Sequence, residues 1–140
     1  MKNLLYVLLL TFSVSACADK TVVIFGTSLE INRDCKIKST NAKGNIEILD
    51  LGMPKVSTCK FIAHSETNLI NIARITNSYM VFVQNPYQDN NKCMTKYTAV
   101  YIENGGRVIP SNFIKRSGSC PKDIEPKEFE YFAYKMKILK

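Results

Sequence analysis

Met94-Thr95-Lys96-Tyr97-Thr98-Ala99-Val100-Tyr101-Ile102, then Asn104-Gly105-Gly106, then Arg107–Ile114, reads as a strand, a tight turn and a second strand. The first run is rich in β-branched and aromatic side chains, which suit a pleated, half-buried surface. The glycines tolerate the positive φ that a tight hairpin turn requires. Working outward, strand-length runs recur at Tyr79–Val83, Leu69–Ile75 and Val56–Ala63. They are separated by Thr76-Asn77-Ser78 and Ser65-Glu66-Thr67-Asn68. Further towards the N-terminus, Asn45-Ile46-Glu47-Ile48-Leu49-Asp50-Leu51 alternates strictly, with Ile46 and Ile48 on one face. Thr21-Val22-Val23-Ile24-Phe25 is β-branched and apolar. Asn41-Ala42-Lys43-Gly44 and Gly52-Met53-Pro54 supply turns. Strands joined by short turns predict an all-β fold, an antiparallel meander forming a small barrel or sandwich. Two readings fit the C-terminal run. Pro126 in a first turn, with Phe129, Phe132 and Met136 at helical spacing, describes a helix. Alternation of Phe132, Tyr134, Met136 and Ile138 describes a strand, and the all-β surroundings favour the strand.

The chain begins Met1-Lys2-Asn3, continues through the apolar run Leu4–Phe12, and relaxes into Ser13-Val14-Ser15-Ala16 before Cys17. Charge, apolar core and small residues at a cut site, in that order, make a secretory signal too short to span a bilayer as an ordinary helix. Val14-Ser15-Ala16-Cys17 resembles the lipobox of bacterial lipoproteins. The resemblance implies that Cys17 is acylated, palmitate being the expected kind of chain, and becomes the first mature residue. Residues 1–16 are then the signal and 17–140 a single domain. The expected location is the bacterial cell envelope, lipid-anchored and facing the periplasm or surface. Ala16-Cys17-Ala18 also fits an ordinary A-x-A cut, whose product would be a soluble periplasmic or secreted protein. Either cut leaves a chain long enough for one domain burying about two-thirds of its unfolded surface.

Either cut also leaves the same four cysteines, Cys35, Cys59, Cys93 and Cys120. In an oxidising compartment they read as two disulfides. Cys35–Cys59 and Cys93–Cys120 are favoured because each closes a short loop, one in each half of the domain. Each such loop stabilises a fold by about 3 kcal/mol in the chain-entropy picture. No pair has C-x-x-C spacing, which argues against a metal site and against thioredoxin-like chemistry.

Catalytic signatures are sparse. The chain has one histidine, His64, and no serine lies in a G-x-S-x-G. Glu125, Glu128 and Glu130 are interspersed with Lys122, Lys127 and Lys135, the look of a solvated mixed-charge face. Gly105-Gly106 has no phosphate-loop context, and Asp34, Asp50, Asp89 and Asp123 have no EF-hand spacing. The expectation is a non-enzyme that needs no cofactor and no metal.

The formal net charge is +7. Lys36 and Lys38 alternate on one face, Lys115 and Arg116 are adjacent, and Lys135, Lys137 and Lys140 end the chain. For an exported protein the counter-charges are headgroups, glycan carboxylates or an acidic protein rather than nucleic acid. The leading expectation is an envelope binding module, an inhibitor, immunity or accessory lipoprotein engaging a macromolecular partner. Tyr87, in the expected loop Gln84–Lys92, is a candidate contact together with Lys115 and Arg116. The second is a structural or surface lipoprotein held to anionic membrane or glycan by charge. In architecture and compartment the expected protein is similar to small lipoprotein inhibitors of c-type lysozyme, disulfide-bonded β-barrels. Their S-G-x-x-Y loop is absent.

Overall fold

The computed structural model describes residues 21–54, 58–120 and 122–139. The signal at 1–16, the lipobox and Cys17 lie outside the described residues, as do Val56 and Lys140.

Residues 21–50 form a four-stranded antiparallel meander: β1 (Thr21–Ile24), β2 (Thr27–Ile31), β3 (Lys36–Thr40) and β4 (Ile46–Asp50). The turns explain the register. Phe25 and Gly26 both take positive φ, 52° and 71°, and so bring Ile24 opposite Thr27. Asn41 Oδ1 accepts hydrogen bonds from the backbone amides of Lys43 and Asn45, folding the β3–β4 connection on itself. Alternation then sends Val22, Ile24, Leu29, Ile31 and Ile37 to one face, where they are buried. Ile46 and Ile48 do share a face of β4, and that face is the solvent side; Leu49 and Leu51 turn inward.

The second sheet is built on a long hairpin, β7 (Ser78–Asp89) paired with β8 (Lys92–Ile102). β5 (Lys60–Phe61) and β6 (Ile72–Ile75) share the free side of β7; β9 (Val108–Pro110) and β10 (Lys115–Ser117) share that of β8. Of the expected run Val56–Ala63, the described residues contribute the short β5. Arg107–Ile114 stops pairing at Pro110, and β10 begins just beyond it. The expected turn Asn104-Gly105-Gly106 joins β8 to β9, with φ of 112° and 90° at the glycines. Thr27 Oγ1 donates to the Gly106 carbonyl at 3.1 Å, and a Cβ at Gly106 would strike that hydroxyl.

Two apolar cores meet at the β7–β8 hairpin. Val81, Val83, Val100 and Ile102 face the first sheet and pack with Leu29 and Ile37. Met80, Phe82, Ala99 and Tyr101 face the other way, onto a helix, α1 (Pro126–Lys135). A strand covered on both faces needs no polar alternation, which is why Met80-Val81-Phe82-Val83 is continuously apolar. The architecture is therefore a β-sandwich backed by one helix. The C-terminal run is this helix and not the favoured strand. Pro126 fixes the first turn, and Phe129, Phe132 and Ala133 recur on one face that the outer side of the sheet must bury. The Phe132 ring meets Phe82 edge-on at 4.9 Å and stacks on Phe113 at 4.3 Å.

Both expected disulfides are present. Cys35–Cys59 ties the β2–β3 turn to the segment entering β5, and Cys93–Cys120 ties the end of the hairpin to the segment entering α1.

Candidate functional site

Gln84–Lys92 is the far end of the β7–β8 hairpin and not a loop. Pairing continues through Asn85↔Lys96, Pro86↔Thr95, Tyr87↔Met94 and Asp89↔Lys92, and only Asn90 and Asn91 turn, with φ of 49° and 61°. Asparagine tolerates this left-handed region better than other non-glycine residues. Pro86 lies two positions past Gln84, where the pairing of β5 with β7 ends among the described residues. Asn85 is fully buried beneath the first sheet's end, whereas Tyr87 is half-buried and Asp89 exposed. Exposure rises along the hairpin, from buried Asn85 through half-buried Tyr87 to exposed Gln88 and Asp89.

Pleat parity puts Tyr87, Asp89, Lys96 and Arg116 on one face of this extension, across three strands. Arg116 Nε donates to the Tyr87 hydroxyl at 3.0 Å, and its Nη2 lies 3.6 Å from Asp89 Oδ2. Lys96 Nζ sits 5.3 Å from the centroid of the Tyr87 ring. On the opposite face, Thr95 Oγ1 donates to the Ser119 carbonyl at 2.6 Å beside the Cys93–Cys120 bridge. An exposed ion pair of this kind adds about 1 kcal/mol at most. Its effect here is to hold the tyrosine and guanidinium in one arrangement that a partner would meet preformed.

Of the three contact candidates, the structure brings Tyr87 and Arg116 together. Lys115 points to the other face, its Nζ 4.4 Å from the Tyr131 ring of α1. Lys96 and Asp89 complete the patch; no sequence signal marks them, because their nearness to Arg116 depends on β8–β10 register. His64 is exposed beside a turn and shares a shallow hollow with Ser65, Glu66 and Asp123. Among the described residues, no cluster of three or more His, Cys, Asp or Glu could hold a metal ion. No described helix is long and apolar enough to cross a membrane.

A second polar cluster lies under the helix. Glu128, in the first turn of α1, accepts from the Tyr97 hydroxyl at 3.2 Å and pairs with Lys122 Nζ at 3.2 Å. Burial, and then the neighbouring Glu128 carboxylate, push the Tyr97 phenol well above the ordinary tyrosine range. Lys122 also donates its backbone amide to Gln84 Oε1 at 3.0 Å, fastening the approach to α1 onto β7. This cluster pairs the Tyr97 hydroxyl and the Lys122 ammonium with one oxygen of Glu128 where the helix start meets the sheet, while Glu128 Oε2 is buried without a hydrogen-bond partner among the described residues.

No family model, curated protein or solved structure matches this chain.

Proposed function

We propose that this chain is an envelope lipoprotein, anchored through Cys17, that binds a macromolecular partner with the projecting end of the β7–β8 hairpin. Binding would inhibit, neutralise or assist that partner. The observation that carries the reading is the clamp on Tyr87: Arg116 at its hydroxyl, Lys96 over its ring and Asp89 holding Arg116. Tyrosine and arginine are the residues most enriched at interface centres, and side chains already fixed lose less entropy on binding. The disulfide and the Thr95–Ser119 bond behind the patch support the same reading, because they stiffen the platform.

The test is affinity capture from envelope extract with the full protein, with Tyr87→Ala and with Arg116→Glu. Recovery of one specific protein by the parent chain, lost in both variants at unchanged thermal stability, supports the proposal. Equal recovery by all three, or none, overturns it. Retention only on anionic vesicles, abolished by moderate salt, would favour the charge-held surface lipoprotein. Intact mass of membrane-extracted protein reports the acyl group on Cys17; a product beginning at Asp19 would rule the anchor out.

A further inference from the structure

Among the described residues, the edge strands β1 and β6 leave a slot along one side of the sandwich, with Thr21 and Val23 on one wall and Leu69 and Ile72 on the other. Val22 and Ile70 form its apolar floor. Val23 is 68% exposed, Leu69 63% and Ile72 42%. Single exposed apolar residues are ordinary, but three converging on one slot form a patch of the kind that marks an interaction surface. The other exposed aliphatic pair, Ile46 and Ile48, sits on β4 at the opposite edge of the first sheet.

Chain geometry indicates what meets the slot. Thr21 is both the first described residue and part of the slot wall, and it lies four positions after Cys17. Four residues fully extended reach about 14 Å, less than the width of the domain. Acyl chains on Cys17 would hold bilayer beside this slot at high effective concentration and could not reach the far edge.

We infer that the slot between β1 and β6 is the membrane-seating side of the protein, with Val23, Leu69 and Ile72 entering the interfacial layer of the phospholipid bilayer. This rests on the lipoprotein reading above. Burial of these side chains among headgroups and upper acyl carbons would turn the anchor from a tether into a fixed orientation.

The chain contains no tryptophan, so one introduced indole is a unique reporter. Acylated full-length Leu69→Trp and Ile48→Trp are reconstituted in vesicles of phosphatidylethanolamine and phosphatidylglycerol, with and without brominated acyl chains. The expected result is a blue-shifted emission at position 69 and quenching at least about threefold that at position 48, as interfacial burial on one side requires. Equal or absent quenching in protein whose mass includes the acyl group overturns the seating and leaves the anchor standing. A mass without acyl chains overturns both. A blue shift at position 69 that needs no vesicles and grows with protein concentration assigns the slot to a second copy and also overturns the inference.

Discussion

The side-chain amide of Asn85 donates to the Pro54 carbonyl at 2.7 Å, joining the middle of β7 to the strap that leaves the first sheet. The same nitrogen lies 3.3 Å from Cys35 Sγ. Asn85 is fully buried, so its amide replaces water for a backbone carbonyl where two sheets and a disulfide converge. Asn85→Leu removes the donor while filling the space, and is expected to cost about 1–3 kcal/mol. Urea unfolding at neutral pH measures it. A change within a few tenths of a kcal/mol would show that this hydrogen bond does not hold the strap.

The two bridges differ in access. Cys35 and Cys59 are buried, whereas Cys93 and Cys120 are half-exposed at the end of the hairpin. Mild reductant should open Cys93–Cys120 first, with Cys35–Cys59 resisting until the fold opens. Alkylation followed by peptide mass mapping distinguishes the order. Replacing Cys93 and Cys120 together by serine should cost about 3 kcal/mol in the chain-entropy picture and leave the sandwich folded. Simultaneous opening of both bridges would refute the access argument.

Phe132 is the pin of the helix layer, buried against Phe82, Tyr97 and Phe113. Phe132→Ala should destabilise by about 3–5 kcal/mol, the usual cost of emptying an aromatic core site. Tyr134→Ala, on the exposed side of the same helix, should change stability by less than about 0.5 kcal/mol. Equal effects at the two positions would mean that the helix does not seal the second core.

Tyr97 gives the fold an alkaline limit. Its folded phenol keeps a proton that the unfolded chain releases at about pH 10. The folded state therefore binds more protons than the unfolded state above that pH, and stability falls as pH rises. Below about pH 10 the contribution is fully present; above it, it is progressively lost. Urea midpoints at pH 8 and about pH 11 should drop more steeply in the parent chain than in Tyr97→Phe, and one tyrosine's worth of tyrosinate absorbance should wait for unfolding. Identical slopes in both proteins would sink this account.

The strand class, the hairpin at Asn104-Gly105-Gly106 and the pairing of the four cysteines are legible because local chemistry decides them. Where local chemistry is satisfied twice, partners far along the chain decide. Phe129 to Met136 fits both a helix and a strand, with the all-β surroundings favouring the strand; the uncovered faces of Met80, Phe82 and Ala99 select the helix. Asn85-Pro86-Tyr87-Gln88-Asp89-Asn90-Asn91 is rich in turn formers, yet the complementary run Lys92–Lys96 keeps most of it extended. Alternation in β4 identifies a strand without naming its inner face. The candidate patch is half legible: Tyr87 and Arg116 stand out by type, while Lys96 and Asp89 join them only through register.

The hairpin of β7 and β8, wall to both cores, also fixes an order of assembly. Residues 21–50 emerge first and carry a complete apolar face, Val22, Leu29 and Ile37 among it, whose partners Val81, Val83, Val100 and Ile102 come later. The helix is in the same position from the other end, since Phe129 and Phe132 need Met80 and Phe82. Until residue 102 has arrived the first sheet lacks part of its cover, Val100 and Ile102, and the contacts that complete it span long stretches of chain, which slows folding. Such a chain exposes apolar surface through much of its synthesis. Exposed apolar surface of this kind is an aggregation hazard in a crowded compartment.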